Sequence, residues 1–442
     1  MASMPKAVLA DDLTGAMDTG IQAARNGHRV SVLLNSDHAR CVMSSCDTVV
    51  LDTESRNIGK QEAYERVRRA VELLSTHDTE IVYKKIDSTC RGNIGAEIDA
   101  LLDARVADMI VLAPALPHKL RVTVEGIHYV SGERLEDTEI ARDPLYPVFY
   151  SRISDIVNQQ SERRVWPAHL PMVTKGADPL RRWLETGLDK GYSIAVADVV
   201  DNSHLLSCAT AIYGASGHML GSGSAGLFEA MHSYASGTKH SLAQTPVSDK
   251  PVLIVCGSPS GVSRNQIEYA LSNDARIGSL EVFSACVRAE SVGVQPLIDK
   301  ACELLASGVS VVIDGAPIKR EALLKQYQAN LPEMRRISTA LLEGLGHVVR
   351  DIVSSTEISG LVLVGGDTAV AACSALGAHS IDVNLEVRPY VPSGILSGGV
   401  ASGMRVVTKA GGFGDKDVLL SCVRFLKGVT DQKLAGGESG QS

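Results

Sequence analysis

Two adjacent acids, Asp11 and Asp12, open the string ADDLTGAMDTG, with Thr14, Gly15 and Asp18 close behind and the apolar run Lys6–Leu9 just before. Acids at a strand end, followed by a small residue and a helix start, can hold ligand hydroxyls, accept a proton or hold a metal through water. The plainer reading is a helix cap, worth roughly 0.5–2 kcal/mol, which accounts for one Asp better than for two. A second cluster, Lys84, Lys85, Asp87, Ser88, Thr89, Arg91 and Asn93, follows the run Glu80–Tyr83. Side chains alternate faces along a strand, so Lys85 and Asp87 share one side while Lys84 and Ile86 share the other. Cations and hydroxyls running into a glycine-bearing turn suit a carboxylate or a phosphate. The competing reading is a pair of solvated lysines at a sheet end. Arg56, closing the string DTESR, adds a cation, although alone it reads as a surface arginine.

The second half of the chain carries a different chemistry. Ser258, Ser260 and Gly261 follow the run Pro251–Val255, and Ser263 opens a helical pattern. Gly365, Gly366, Asp367 and Thr368 follow Leu361–Leu363 and lead into a helix over Ala369–Leu376. Gly411, Gly412 and Gly414 come after Lys409. Glycines and serines at a strand-to-helix turn bring backbone N–H groups to an anion at the helix N-terminus, and glycine permits positive φ and close backbone approach. One such turn is ordinary punctuation; three, each after a strand, favour a phosphate-bearing ligand. No GxxxxGK[ST] is present, which excludes a P-loop at motif level. A single GxGxxG, Gly221–Gly226, follows only the apolar pair Met219-Leu220, poor support for the strand a dinucleotide site needs. His118 and His128 lack ligand spacing and read as structural or solvated, and Trp166 and Trp183 read as packing residues.

These clusters need elements to hold them, and the 442 residues alternate apolar runs with helical patterns throughout. Strands are expected at Lys6–Ala10, Arg29–Leu34, Thr48–Asp52, Glu80–Ile86, Met109–Ala113 and Ser193–Ala197. Helices are expected at Gly15–Asn26, Lys60–Ser75 and Ala96–Asp103. After the polar stretch Ser236–Lys250, strands restart at Pro251–Cys256, Leu280–Phe283, Val309–Asp314, Gly360–Val364 and Met404–Lys409, while Pro117–Asn158 reads as an irregular excursion. The fold class is therefore α/β: two domains, 1–240 and 251–434, a linker over 241–250 and a disordered tail over 435–442. Ligands of open α/β sheets sit at strand carboxyl ends, and every cluster above does so. Two largely parallel sheets facing an inter-domain cleft are the economical arrangement.

Composition narrows the partners. Lys and Arg total 43 against 51 Asp and Glu, a net charge of −8 with no dense basic run, which argues against nucleic acid. Nine scattered cysteines without CxxC, and no HExxH, indicate a reduced protein with no dedicated metal site. The start is too short for a signal peptide, and no stretch approaches the roughly 18 apolar residues of a membrane span. A cytoplasmic protein, away from membranes, is expected.

In order, the strings ADDLTGAMDTG, DTESR, KKIDST-RGNIGAEIDALL, APALP, CGSPSG-S--Q, GLVLVGGDTA, EVRPYVPSG and VVTKAGGFGD resemble the two-domain four-carbon acid sugar kinases, from residue 10 to about 415. The resemblance implies an enzyme using ATP and Mg²⁺ to phosphorylate the terminal hydroxyl of a tetronic acid or 3-oxo-tetronate, the acid on the N-terminal domain and the nucleotide on the C-terminal one. It implies that Asp11, Asp12, Arg56, Lys84, Lys85, Asp87 and Ser88 hold the acid, with its carboxylate near Lys85 and Arg56 and its hydroxyls toward Asp12, Asp87 and Ser88. Asp12 is the expected base and Asp87 its alternative. Ser258, Gly365, Gly366, Asp367, Thr368, Gly411 and Gly412 are implied for ATP. Glu136–Val148 resembles the threonate and erythronate branch, D-threonate first. One departure stands out: the family commonly reads Gly-Arg-Thr after its APAxP segment, and this chain has Leu120-Arg121-Val122. Two other classes compete: a sugar-acid sensor needing only the first domain, and a dehydrogenase built on Gly221–Gly226. A homo-oligomer is compatible with all three.

Overall fold

The computed structural model describes residues 6–142, 147–235, 247–287, 291–315 and 331–429. The chain divides into two compact units, Met1–His240 and Ser241–Ser442. The expected linker lies outside the described residues as far as 246, and the expected tail wholly so. Among the described residues, no helix is long and apolar enough to cross a membrane.

The first unit contains β1 (Lys6–Ala10), β2 (Val30–Leu33), β3 (Thr48–Asp52), β4 (Glu80–Lys85), β5 (Met109–Ala113), β6 (Arg121–Val124), β7 (Ile127–Val130), β8 (Glu133–Arg134), β9 (Val165–Ala168), β10 (Ile194–Ala197) and β11 (Met219–Gly223). Its main sheet runs β2–β3–β1–β4–β11–β5–β10–β9, all parallel. Central strands such as KAVLA and MIVLA are continuous apolar runs because helices cover both faces. The chain leaves β1 for β2 and β3 on one side, then crosses to β4 and beyond on the other. The crevice between the carboxyl ends of β1 and β4 is therefore a topological switch point.

The second unit repeats the device. It contains β12 (Val252–Cys256), β13 (Ile277–Glu281), β14 (Ser310–Asp314), β15 (Gly360–Val364), β16 (Ser380–Arg388), β17 (Val391–Ser397) and β18 (Arg405–Lys409). The order is β13–β14–β12–β15–β18–β17–β16, parallel as far as β18 and then closed by an antiparallel β16–β17 hairpin. From β12 the chain goes to β13 and β14 on one side; from β15 it goes to the other. The switch point falls between β12 and β15.

Several expectations need correction. The strand expected at Leu280–Phe283 is Ile277–Glu281, and Phe283 opens a helix, Phe283–Val287. The excursion is not irregular, since β6–β7–β8 form an antiparallel sheet of their own and the helix Ile153–Asn158 follows. The strand doubted before Gly221 exists and is followed by the helix Ala225–Ala235. Its glycines nevertheless serve packing. A Cβ on Gly221 would lie 2.6 Å from Met231 Sδ and 3.3 Å from the Tyr83 ring, and one on Gly223 would overlap the Ala113 carbonyl. The core takes the space a dinucleotide phosphate would need.

Leu120 occupies a left-handed conformation, φ 54°, ψ 34°, and is 64% exposed. Left-handed backbone costs a residue with a Cβ roughly 1–2 kcal/mol, which glycine does not pay. Leu120→Gly is expected to stabilise the first unit by about 1 kcal/mol, read as a rise of roughly 2–4 °C in its thermal midpoint.

Candidate functional site

Asp11 and Asp12 leave the end of β1 at the first switch point, and Arg56 arrives from the loop after β3. Asp11 is 2% exposed and takes two bonds from the Arg56 guanidinium, Nε to Oδ2 and Nη2 to Oδ1, each 2.8 Å. The same Nη2 donates to Asp12 Oδ1 at 2.6 Å. Burial pushes the Asp11 carboxyl up, but Arg56, Lys84 and Lys85 prevail and hold it below the ordinary range. Asp12 is also the cap foreseen by the plainer reading: its Oδ1 accepts from Gly15 N at 2.9 Å and starts the helix Leu13–Arg25. The Arg56 loop is itself pinned, with Asn93 Nδ2 donating to the carbonyls of Ser55 at 2.8 Å and Ile58 at 2.9 Å.

The two lysines are buried, not solvated. Lys84 is 0% exposed and pairs with Glu97 at 2.5 Å on the helix Ile94–Asp103. Its ammonium lies inside the fold and acts as charge on the Asp11 carboxylate. Lys85 points to the opposite face, as alternation requires. Gly15 makes room for it, because a Cβ there would lie 2.7 Å from Lys85 Nζ and 2.6 Å from Asp12 Oδ1. Asp87 Oδ2 accepts from Thr89 Oγ1 at 2.5 Å and Arg91 Nε at 2.6 Å. Burial would raise the Asp87 carboxyl, yet Arg91, Arg56 and Arg121 hold it well below the carboxylate range. Ser88 receives a bond on Oγ from Arg121 Nη1, and its carbonyl is 2.9 Å from His128 Nε2.

The glycine turns of the second unit converge on its switch point. Ser258 follows β12, and Gly411 packs so closely that a Cβ would overlap Ser258 Oγ. Gly365 has φ 107° and begins the helix Gly366–Ala375 without any side-chain cap bond, leaving that helix's first N–H groups without a side-chain acceptor at the cap. Thr368 Oγ1 instead accepts from Gly257 N at 3.2 Å, tying two turns together. Lys409 is 1% exposed and donates to the carbonyls of Ala410, Gly411 and Phe413 at 2.7, 3.3 and 2.9 Å, while burial brings its ammonium down to about 8. Gln266 Nε2 holds the same loop at Phe413, Gly414 and Asp415. Open space surrounds the missing side chains of Gly412 and Gly261.

All the expected residues thus gather in two clusters, one in each unit. Arg56 departs from the surface role it suggested alone. The ligand-carboxylate role expected of it meets a guanidinium already held by two aspartates. Sequence reasoning missed Arg121, His128 and Glu97 as partners, and Lys409 and Gln266 as loop holders. Arg121 had a signal, since it survives where its neighbours depart from the family pattern. Trp166 and Trp183 pack together, 4.7 Å between ring centroids.

A buried acid–arginine cluster at one switch point and a glycine-lined helix terminus at the other define a two-unit α/β enzyme. Residues 6–231 match a sugar-binding N-terminal domain and residues 253–419 a nucleotide-binding C-terminal domain. A D-threonate kinase of Salmonella typhimurium LT2 is 33% identical over 96% of this chain and 99% of its own length. A D-erythronate kinase of Heliobacterium modesticaldum is 32% identical, covering 95% and 96%. A 3-oxo-tetronate kinase of Haemophilus influenzae is 27% identical, covering 93% and 97%. A solved Haemophilus influenzae structure, 25% identical, superimposes with a TM-score of 0.69 over 96% of this chain and 99% of that one. The chain belongs to the four-carbon acid sugar kinases, a family of sugar-acid phosphotransferases.

Proposed function

We propose that this chain transfers the γ-phosphoryl group of ATP to the 4-hydroxyl of a four-carbon sugar acid, D-threonate before D-erythronate, with 3-oxo-tetronate third. The observation carrying this is the position of both clusters at the switch points of their own sheets, where ligands of such folds bind. Asp12, Lys85, Asp87 and Ser88 receive the acid, with Asp11, Arg56 and Lys84 fixing their charge and position. Ser258, Gly365, Gly366, Asp367, Thr368, Gly411 and Gly412 receive the nucleotide. The uncapped helix at Gly366 and the close Gly411–Ser258 packing suit phosphate oxygens. Mg²⁺ brought with the nucleotide would need one or two protein carboxylates beside the phosphates; Asp367, among the residues named for ATP, would be the one to hold it, and the ion would neutralise phosphate charge. Phosphoryl transfer depends mainly on positioning and charge stabilisation, which rigid strand ends supply.

The test is ADP release from ATP·Mg²⁺ with D- and L-threonate, D- and L-erythronate and the 3-oxo-tetronates. Turnover strongest on D-threonate is expected. Preference for another member reassigns the substrate, and no turnover on any member removes the proposal. Gly411→Ala is expected to push Ser258 aside and raise the KM for ATP about tenfold, the equivalent of one displaced hydrogen bond. The sugar-acid KM should stay within a factor of about two.

A further inference from the structure

Three buried side chains draw the carbonyls of the loop after β18 inward. Lys409, at the end of that strand, sends its ammonium to the carbonyls of Ala410, Gly411 and Phe413. Ser263, fully buried, adds a bond of 2.7 Å from its hydroxyl to the Gly411 carbonyl. Gln266 Nε2 donates to the carbonyls of Phe413 at 3.0 Å, Gly414 at 2.8 Å and Asp415 at 3.2 Å. In a trans peptide the N–H lies opposite the carbonyl. Drawing the Ala410 and Gly411 carbonyls onto one ammonium therefore turns the N–H groups of Gly411 and Gly412 the other way. Neither N–H has a partner among the described residues, and the space beside Gly412 is open. Successive backbone N–H groups in such a turn form an anion-binding concavity.

We propose that Lys409 is a positioning residue of the nucleotide site: its ammonium gathers the Ala410, Gly411 and Phe413 carbonyls so that the Gly411 and Gly412 N–H groups face a phosphate of the nucleotide, and it sets a positive charge behind them. The inference rests on the nucleotide reading above and adds to it a residue that touches no phosphate itself. Three carbonyls match the three donors of the protonated form, and deprotonation removes one donor together with the charge. Burial brings that ammonium down to about 8, and Cys256 on β12 and Cys422 on the helix Val418–Leu426 are the titratable groups that act on it. Burial pushes the Cys422 thiol up to about 12, so it is uncharged where the lysine titrates. The loop is thus fully held below about pH 8 and loosens above it. A bound phosphate favours the charged form and draws the proton back on.

The test is binding of ATP·Mg²⁺, without any sugar acid, to the wild-type protein and to Lys409→Met, titrated from about pH 7 to about pH 9.5. Wild-type affinity is expected to hold up to about pH 8 and then to fall by as much as about tenfold over the next unit, the linkage slope of one proton. Lys409→Met keeps the length of the side chain and loses its donors and charge. It is expected to bind about 10- to 100-fold more weakly near neutral pH, with no such slope. A variant that binds as tightly as wild type, or that keeps the wild-type slope, overturns the inference. So does a wild-type affinity that stays level over the whole range. If Lys409→Met fails to fold, calorimetry on the wild-type protein at about pH 8.5, in buffers of different ionisation enthalpy, decides the matter. Uptake of part of a proton on binding supports the inference, and no uptake overturns it. A wild-type protein that does not bind ATP·Mg²⁺ at all removes the nucleotide reading and this inference with it. Wild-type binding with any of the negative results removes the inference alone.

Discussion

Arg56→Met is expected to destabilise the first unit by about 3–5 kcal/mol, because it removes the hydrogen-bonded partner of the buried Asp11 carboxylate and of its neighbour Asp12. Asp11 is 2% exposed, and the Arg56 side chain is 11% exposed, so solvent cannot take over the pairing. Both tryptophans of the chain, Trp166 and Trp183, lie in this unit, so denaturation followed by tryptophan fluorescence reads it selectively. The pH dependence gives a sharper signature. In the wild-type protein the folded Asp11 carboxyl lies below its ordinary value of 3.8. Its pairing therefore contributes in full above that value and is lost as pH falls through the folded one. Without Arg56, burial acts on Asp11 against Lys84 and Lys85 alone, and the carboxyl moves upward. The stability gap between the two proteins is then widest at neutral pH, narrows on acidification and closes only as pH falls below 3.8 through the folded wild-type value. A gap independent of pH would mean that the methionine acts through packing and that the ion pair contributes little.

That cluster also shows what a linear sequence can carry. Central parallel strands are readable because they are covered on both faces, so runs such as VLIVC and GLVLV stand out, and the polar residues after them mark strand ends. Strand order is not readable. Which two carboxyl ends become neighbours decides that Asp11 faces Arg56, and that comes from three-dimensional pairing. The burial of Arg56 depends on Asn93 and on Gly92, whose φ of 102° lets the loop lie against the Arg56 backbone. Neither constraint is local. β11 was underestimated because Gly221, Ser222 and Gly223 carry no apolar side chain; Tyr83 and Met231 supply that surface from elsewhere. The β16–β17 hairpin was missed for a related reason. Its alternation of buried Ile381 and Val383 with exposed Asp382 is that of a one-faced strand, weaker than the continuous runs beside it. The ribbon carrying Arg121 and His128 has strands of only four residues, too short for either period to register.

Asp12→Asn is expected to lower kcat by roughly 10²- to 10⁴-fold, the range for loss of a positioned general base, with the KM for the sugar acid changing little. The fold should tolerate the change, because asparagine caps a helix about as well as aspartate, and the bidentate Asp11–Arg56 pair remains. Asp12 suits the role by geometry: Oδ1 takes both the Gly15 and the Arg56 bonds, and Oδ2 accepts none among the described residues. Asp87 is the weaker candidate. Its carboxylate is held well below the ordinary range, with Arg91, Arg56 and Arg121 outweighing burial, so it gives a proton acceptor little driving force. Asp87→Asn should instead strip three arginines of a shared counterion and show itself in stability and in KM. Parallel single-turnover kinetics on the two variants separate the roles. Near-normal chemistry in Asp12→Asn together with lost chemistry in Asp87→Asn would transfer the base to Asp87, and the strong arginine pairing would then have to relax when the acid binds.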